Sequence, residues 1–363
     1  MRHWFYFNTI KRKRIHKLFL PDRTIWSTID LISSTKSQAI LTYDIIIIGG
    51  GPIGMTCAIA AKKAGLTYVV LEKGVLVNAI YNFPTNMTFF STSNLLEIGD
   101  VPFIAHSDKP TRREALEYFR RVQESWDLDI KLYTEVQSMT KKNNLHHVTT
   151  SKGVFIGKNV VVSTGFYDTP RKLNVPGEEL KKVKHFYDDP HPYVDQNVLV
   201  VGAANSACDV ALETYYKGAN VTMAIRGSEI YPKVKYWIRP NIENRIKEGS
   251  IKAYFNTEVK AITPDEVVLN TPDGEVTLPN DFVLAMTGYK PNYSLFEQLG
   301  LPISNDAHRI PIHNEKTLET PLEGVYVAGV INSGMQTSKL FIENTRIHAD
   351  MIIEDVLKKG MIN

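Results

Sequence analysis

The chain has 363 residues, 43% of them hydrophobic and 22% charged, a balance that fits a globular protein of about two domains and excludes a disordered or fibrous one. No stretch approaches the roughly 18 uncharged apolar residues of a membrane span. The net charge of +3 is uneven: residues 1–42 carry eight Lys/Arg and two Asp/Glu, leaving 34 against 37 in the rest, so the body lacks the basic stripe of a nucleic-acid binder.

The N-terminal excess centres on KRKRIHK at 11–17, without the apolar run that a secretory signal needs. Residues 1–42 are therefore expected to form a disordered basic extension. YDIIIIG (43–49) then predicts a fully buried strand, GMTCAIAAKKAG (54–65) a helix and TYVVLEK (67–73) a second strand. RREALEYFRRVQESW (112–126) is amphipathic, and strand-like stretches follow at 130–138 and 153–163. The same grammar returns with QNVLVVG (196–202), a helix after Ala203 and NVTMAIR (220–226). GVYVAGV (324–330) predicts the last strand, followed by a helix from about Phe341 to Lys359. This pattern predicts an α/β protein with two Rossmann-like dinucleotide-binding domains, the second inserted in the first. Residues 43–167 and 288–363 are expected to form an FAD-binding domain, and 168–287 an NAD(P)H-binding domain.

Gly49, Gly51 and Gly54 form G-x-G-x-x-G between a strand and a helix, with Glu72 at the end of the next strand. The glycines suit a tight turn, close approach to a pyrophosphate and close helix–strand packing; the carboxylate suits ribose hydroxyls. The second fingerprint is degenerate, with Gly202 followed by Ala203, Ala204, Asn205 and Ser206. Its second strand ends in Ile225 and Arg226 where an NAD site would carry an acid. A guanidinium there suits a 2′-phosphate, so NADPH is expected, with Lys233 and Lys235 as further cations.

VVSTGF (161–166) and YVAGV (326–330) resemble segments of flavoprotein pyridine-nucleotide reductases, and residues 43–360 resemble the thioredoxin-reductase-type fold. YNFPTNMTFFSTSNLLEIGDVPF (81–103), HFYDDPHPY (185–193) and LFIENTRIH (340–348) are similar to the bacillithiol disulfide reductase family. The resemblance implies FAD at Gly49, Gly51, Pro52, Ile53, Gly54, Glu72, Lys73, Val136, Thr164, Gly165, Gly329 and Val330. Phe89 and Phe90 would either run along the flavin or belong to the core. Gly202, Ala204, Asn205, Ser206, Arg226 and Lys235 would take NADPH. The implied activity is NADPH-dependent reduction of a small disulfide through FAD in the cytoplasm, with homo-oligomerisation left open.

One position departs from the family. Members carry a cysteine between Pro and Gly of the first fingerprint, where this chain has Ile53. Two cysteines, Cys57 and Cys208, remain; they form no C-x-x-C pair and suit packed core positions in a reducing compartment. His348 and His191 are weak candidate proton donors, the structural reading being preferred for both. The pair His146–His147 reads as a surface hairpin, and no histidine or acid cluster has metal-ligand spacing. A flavin monooxygenase, a ferredoxin- or flavodoxin-type NADP reductase and a non-catalytic flavin or NADP sensor stay open as alternatives.

Overall fold

The isoleucine run forms the centre of the first sheet. The computed structural model describes residues 41–362, and the basic extension expected at 1–42 lies, but for its last two residues, outside them. Strand β1 (Thr42–Ile48) pairs in parallel with β2 (Tyr68–Leu71) on one side and β6 (Gly153–Val162) on the other. Ile45 and Ile47 pack beneath helix α1 (Pro52–Lys63), while Ile46 and Ile48 enter the core on the opposite face. Layers on both faces explain why the strand is apolar at consecutive positions. Each such side chain contributes about 1.5–3 kcal/mol of burial.

Between β2 and β6 the chain passes through two single-turn helices, α2 (Asn78–Tyr81) and α3 (Ser93–Leu96), then α4 (Arg112–Trp126), β3 (Ile130–Lys131) and the hairpin β4 (Val136–Lys142)–β5 (Leu145–Thr150). The strand order is β3-β2-β1-β6-β5-β4, and β6 also pairs with the late strand described below. The expected strand 130–138 is thus two strands separated by a turn. His146 corrects a second expectation: it is 2% exposed, with Nε2 3.1 Å from the Glu323 carbonyl, because the hairpin is covered by the C-terminal part of the chain.

The second sheet, order β11-β10-β9-β15-β8, is entirely parallel. The chain enters it through β7 (Thr169–Pro170) and β8 (Val183–Lys184), and continues with β9 (Asn197–Val201), α5 (Asn205–Tyr216), β10 (Asn220–Ala224), α6 (Arg239–Lys247) and β11 (Lys252–Tyr254). An antiparallel sheet of β12 (Glu258–Ile262), β13 (Glu266–Thr271) and β14 (Gly274–Pro279) precedes β15 (Phe282–Ala285). The chain returns by β16 (Tyr289–Lys290), which pairs antiparallel with β7. Two adjacent strands therefore make the connection between lobes. Then come α7 (Tyr293–Gln298) and β17 (Val325–Val327), which pairs with β6. The C-terminal helix expected from Phe341 is two pieces, α8 (Ile342–Thr345) and α9 (His348–Ile362).

Helix α4 starts on a capping box: the Thr111 side chain accepts from the Glu114 N–H, and the Glu114 carboxylate accepts from the Thr111 N–H at 2.8 Å. This end holds the apolar stripe Ala115, Tyr118, Phe119 and Val122 against the core. Thr111→Ala should cost about 1 kcal/mol locally. Hydrogen exchange in the first turn of α4 should then accelerate roughly fivefold, while exchange in β1 stays unchanged.

Candidate functional site

The turn after β1 is shaped by contacts no side chain could survive. Gly49 has φ +110°, and a Cβ there would lie 2.7 Å from the Ser163 carbonyl oxygen. A Cβ on Gly54 would fall 1.9 Å from the Gly49 carbonyl oxygen. These two glycines let the strand and helix close on each other, whereas a Cβ on Gly51 would meet nothing within 4 Å. Pro52 opens α1, and the first intrahelical bond comes from the Met55 N–H, so the N–H groups of Ile53 and Gly54 have no intrahelical acceptor. No side chain caps this end. It is an anion cradle in the sense that helix starts provide one.

Glu72 closes the turn from the side. It is 6% exposed and accepts from the Gly50 N–H at 2.7 Å and the Gly74 N–H at 2.9 Å. Burial pushes its carboxyl up, and the two backbone bonds only partly oppose that. Beside it, Lys73 pairs with Asp168 at 2.8 Å. Val136 is buried at the start of β4, and Gly165 (φ +68°) has open space where a Cβ would stand. The Thr164 hydroxyl is buried and has no hydrogen-bond partner among the described residues. An orphaned hydroxyl beside an open glycine cradle fits a polar ligand along this wall. On the far side, the Gly329 N–H donates to His348 Nδ1 at 3.0 Å, and Gly329 and Val330 open a short 3₁₀ helix, Gly329–Ser333.

Ile53 lies in the first turn of α1, 6% exposed, and lines the cleft; a Cβ on Gly329 would sit 3.3 Å from its own Cβ. Cys57 and Cys208 are 1% and 0% exposed, in separate hydrophobic cores, and burial pushes both thiols up to about 12. The chain has no third cysteine. No thiolate can therefore reach the cleft near neutral pH. His348 is held down to about 4, by burial first and His313 second, and its Nδ1 is occupied as an acceptor. His191 is exposed in a 3₁₀ turn. Neither histidine lines the cleft.

The second fingerprint repeats the first with less room. Gly202 has φ +131° and a virtual Cβ 2.6 Å from the Met286 carbonyl oxygen. Ala204 is extended and exposed before α5, and no side chain caps that helix. Asn205 and Ser206 line the cleft. Arg226 is exposed just beyond β10 and makes no hydrogen bond or ion pair among the described residues; it lies outside the cleft lining. Lys233 is also exposed. Lys235 is not beside them in function: it is 8% exposed, with Nζ 2.8 Å from Asp209 and 3.3 Å from the Thr88 carbonyl.

Those contacts belong to a strap at 83–90 that crosses from the first lobe to the second. Thr85 bonds Asp188 through both backbone and side chain, at 2.9 and 2.8 Å, and the Asn86 amide donates to Glu213. Phe89 is core, 8% exposed, while Phe90 is 54% exposed and stacks on Trp237 at 5.9 Å. The first fingerprint, Asn205 and Ser206 of the second, and the strap line one cleft of ≈ 890 Å³, while Gly202 and Ala204 lie outside its lining. Asp168, Asn86, Tyr187 and Glu213 also line it without having been singled out in the sequence; only Glu213 carried a signal, the four-residue spacing Asn205–Asp209–Glu213 along α5. Among the described residues, no group of three His, Cys, Asp or Glu side chains is placed to hold a metal, and no helix is long and apolar enough to cross a membrane.

The sequence profile of the pyridine nucleotide-disulphide oxidoreductase family matches residues 46–329. The chain is 44% identical over 316 residues to the bacilliredoxin reductase Bdr of Bacillus subtilis (strain 168), covering 86% of this chain and 97% of that one. The structure of the bacillithiol disulfide reductase Bdr (YpdA) from Staphylococcus aureus superposes with a TM-score of 0.85 at 40% identity, covering 88% of this chain and 99% of its own. Its counterpart from Bacillus cereus also gives 0.85, at 42% identity over 88% of this chain and 100% of its own. Family members of this kind are oxidoreductases that use FAD and NADPH. The chain belongs to the pyridine nucleotide-disulphide oxidoreductase family, with the Bdr-type reductases as its relatives.

Proposed function

We propose that the protein is an NADPH-dependent FAD reductase of a low-molecular-weight disulfide of the bacillithiol disulfide class, working in the cytoplasm. The observation that carries this reading is a single cleft onto which two uncapped helix starts open, in a chain whose relatives are Bdr-type reductases. FAD is assigned to the lobe of residues 43–167 and 288–363, and NADPH to residues 168–287. Gly49, Gly51 and Gly54 shape the FAD cradle, and the N–H groups of Ile53 and Gly54, following Pro52, face its pyrophosphate. Glu72, Lys73 and Val136 hold the adenosine end. Thr164, Gly165, Gly329, Val330 and Phe90 line the remainder. On the other lobe, Gly202, Ala204, Asn205 and Ser206 take the NADPH phosphates, and Arg226, unpaired among the described residues, takes the 2′-phosphate. Lys235 acts through Asp209 and Asn205, whose Oδ1 accepts from the Lys235 N–H at 2.8 Å. Bound there, the cofactors supply hydride transfer from NADPH to flavin and two electrons for the acceptor.

The chain itself contributes position and dryness. Ile53 presents a branched apolar side chain where the resemblance leads one to expect a thiol, so this protein forms no mixed disulfide in the cleft. His348 holds the Gly329 backbone and, being neutral near pH 7, adds no charge behind the cleft. The absence of a cleft thiol also favours a second reading, a ferredoxin-type NADP reductase, which needs none. Chains with that name share 23% and 28% identity with this one over 79% and 65% of its length.

Two experiments separate these readings, and a third tests the NADPH assignment. NADPH added anaerobically should bleach the flavin, and bacillithiol disulfide should restore its absorbance; restoration by ferredoxin alone would favour the second reading. Arg226→Gln should raise the KM for NADPH about tenfold or more and leave that for NADH unchanged. Ile53→Cys should add a mixed-disulfide route to existing turnover. Disulfide reduction seen only in that variant would show that the natural protein uses another acceptor.

A further inference from the structure

Lys235 touches the strap of the first lobe and the nucleotide turn of the second at once. Its backbone N–H donates to Asn205 Oδ1 at 2.8 Å, at the start of α5. Its Nζ donates to Asp209 Oδ2 at 2.8 Å and to the Thr88 carbonyl on the strap at 3.3 Å. The Trp237 ring lies 5.8 Å from the same nitrogen.

Both ends of this bridge are held. Thr88 stands between two backbone bonds, from the Arg112 N–H to the Met87 carbonyl and from the Phe89 N–H to the Pro110 carbonyl, each at 2.9 Å. They join the strap to the capped start of α4. On the other lobe the Lys235 carbonyl accepts from the Ile238 and Arg239 N–H groups, at 2.9 and 3.0 Å, where the chain enters α6. Moving one lobe against the other must break a bond from an ammonium group that is only 8% exposed, where little water can replace it. The strap bonds made by the Thr85 and Asn86 side chains are exposed and more readily exchanged for water. Asp209, one turn along α5 from Asn205, already neutralises the Lys235 charge, so little of it is left to attract a phosphate. A reaction between two ligands across one cleft is sensitive to a misplacement of about 1 Å.

We propose that Lys235 is a positioning residue: it fixes how near the nucleotide turn of α5 stands to the flavin lobe and does not itself hold the nucleotide. The inference rests on the assignment of the NADPH phosphates to Asn205 and Ser206, and is independent of the electron acceptor. Lys235→Met keeps most of the volume and removes the side-chain donors. Calorimetry with NADP⁺ on the oxidised FAD-loaded enzyme gives the affinity, and anaerobic stopped-flow mixing with NADPH gives the limiting rate of flavin bleaching. NADP⁺ should bind K235M within about twofold of its natural affinity, while the limiting rate falls at least about tenfold. The long-wavelength absorbance of adjacent nicotinamide and flavin should weaken in parallel. The double variant Asp209→Asn/Lys235→Met, which leaves no uncompensated carboxylate, should give the same split and serves if K235M fails to load FAD. An NADP⁺ affinity lowered about tenfold at an unchanged limiting rate would make Lys235 a nucleotide ligand and overturn the proposal. An unchanged rate and absorbance would overturn it as well. If NADPH fails to bleach the natural enzyme, the NADPH assignment falls and this inference with it. If NADPH bleaches the flavin and no disulfide restores it, the substrate reading alone falls.

Discussion

The site depends on the close approach of Gly54 to the Gly49 carbonyl, whose oxygen would lie 1.9 Å from any Cβ at Gly54. Because no side chain can stand between them, α1 begins directly over the end of β1. The helix start then stands at the carboxyl end of β1 with two N–H groups unspent. Ser163 locks the same point from the neighbouring strand, donating to the carbonyls of Ile48 and Gly49 at 3.1 and 3.2 Å. Glu72 reaches in from the second strand and takes the Gly50 N–H. Three strand ends thus converge on one turn. The buried isoleucines behind it make that geometry rigid, since a shift of β1 would disturb packed layers on both faces.

The second lobe meets this site through the strap and the paired connectors. Phe83 packs edge-on against Tyr167 at 4.6 Å, and Tyr167 lies 4.2 Å from Tyr289 on the returning strand. Hydrogen bonds from Thr85, Asn86 and Lys235 fasten the strap to the second lobe. These contacts are polar and partly exposed, so each is weak compared with the sheet cores. They orient the cleft without welding its walls. That is suitable for a site that must accept and release more than one ligand.

Chemically, the cleft is defined by what fills the first turn of α1. An isoleucine there keeps the floor apolar, and burial in two separate cores makes both cysteines inert, pushing their thiols up to about 12. The polar functions of the cleft lie instead on its walls: Glu72 and Thr164 on one lobe, Asp209, Glu213 and Lys235 on the other. Specificity in such an arrangement comes from the walls, because an apolar floor discriminates poorly between ligands of similar size.

Local spacing by itself determined the α/β architecture, the two glycine turns and the carboxylate at the end of β2. Those features are written in contiguous residues, and their reasons are local: only glycine survives at Gly49 and Gly54, and only a doubly covered strand tolerates four isoleucines. The sequence also made the missing thiol countable, since two cysteines can be located without a structure. Tertiary structure decided the rest. It buried His146, which adjacency to His147 disguised as surface, and turned Lys235 inward to Asp209 and Thr88, although the sequence could only group it with Arg226. It brought Asn86, Tyr187 and Glu213 together from positions up to 127 residues apart. No periodicity carries such information, because the juxtaposition arises where separate lobes meet, and only the packed chain specifies which side chains face each other across the cleft.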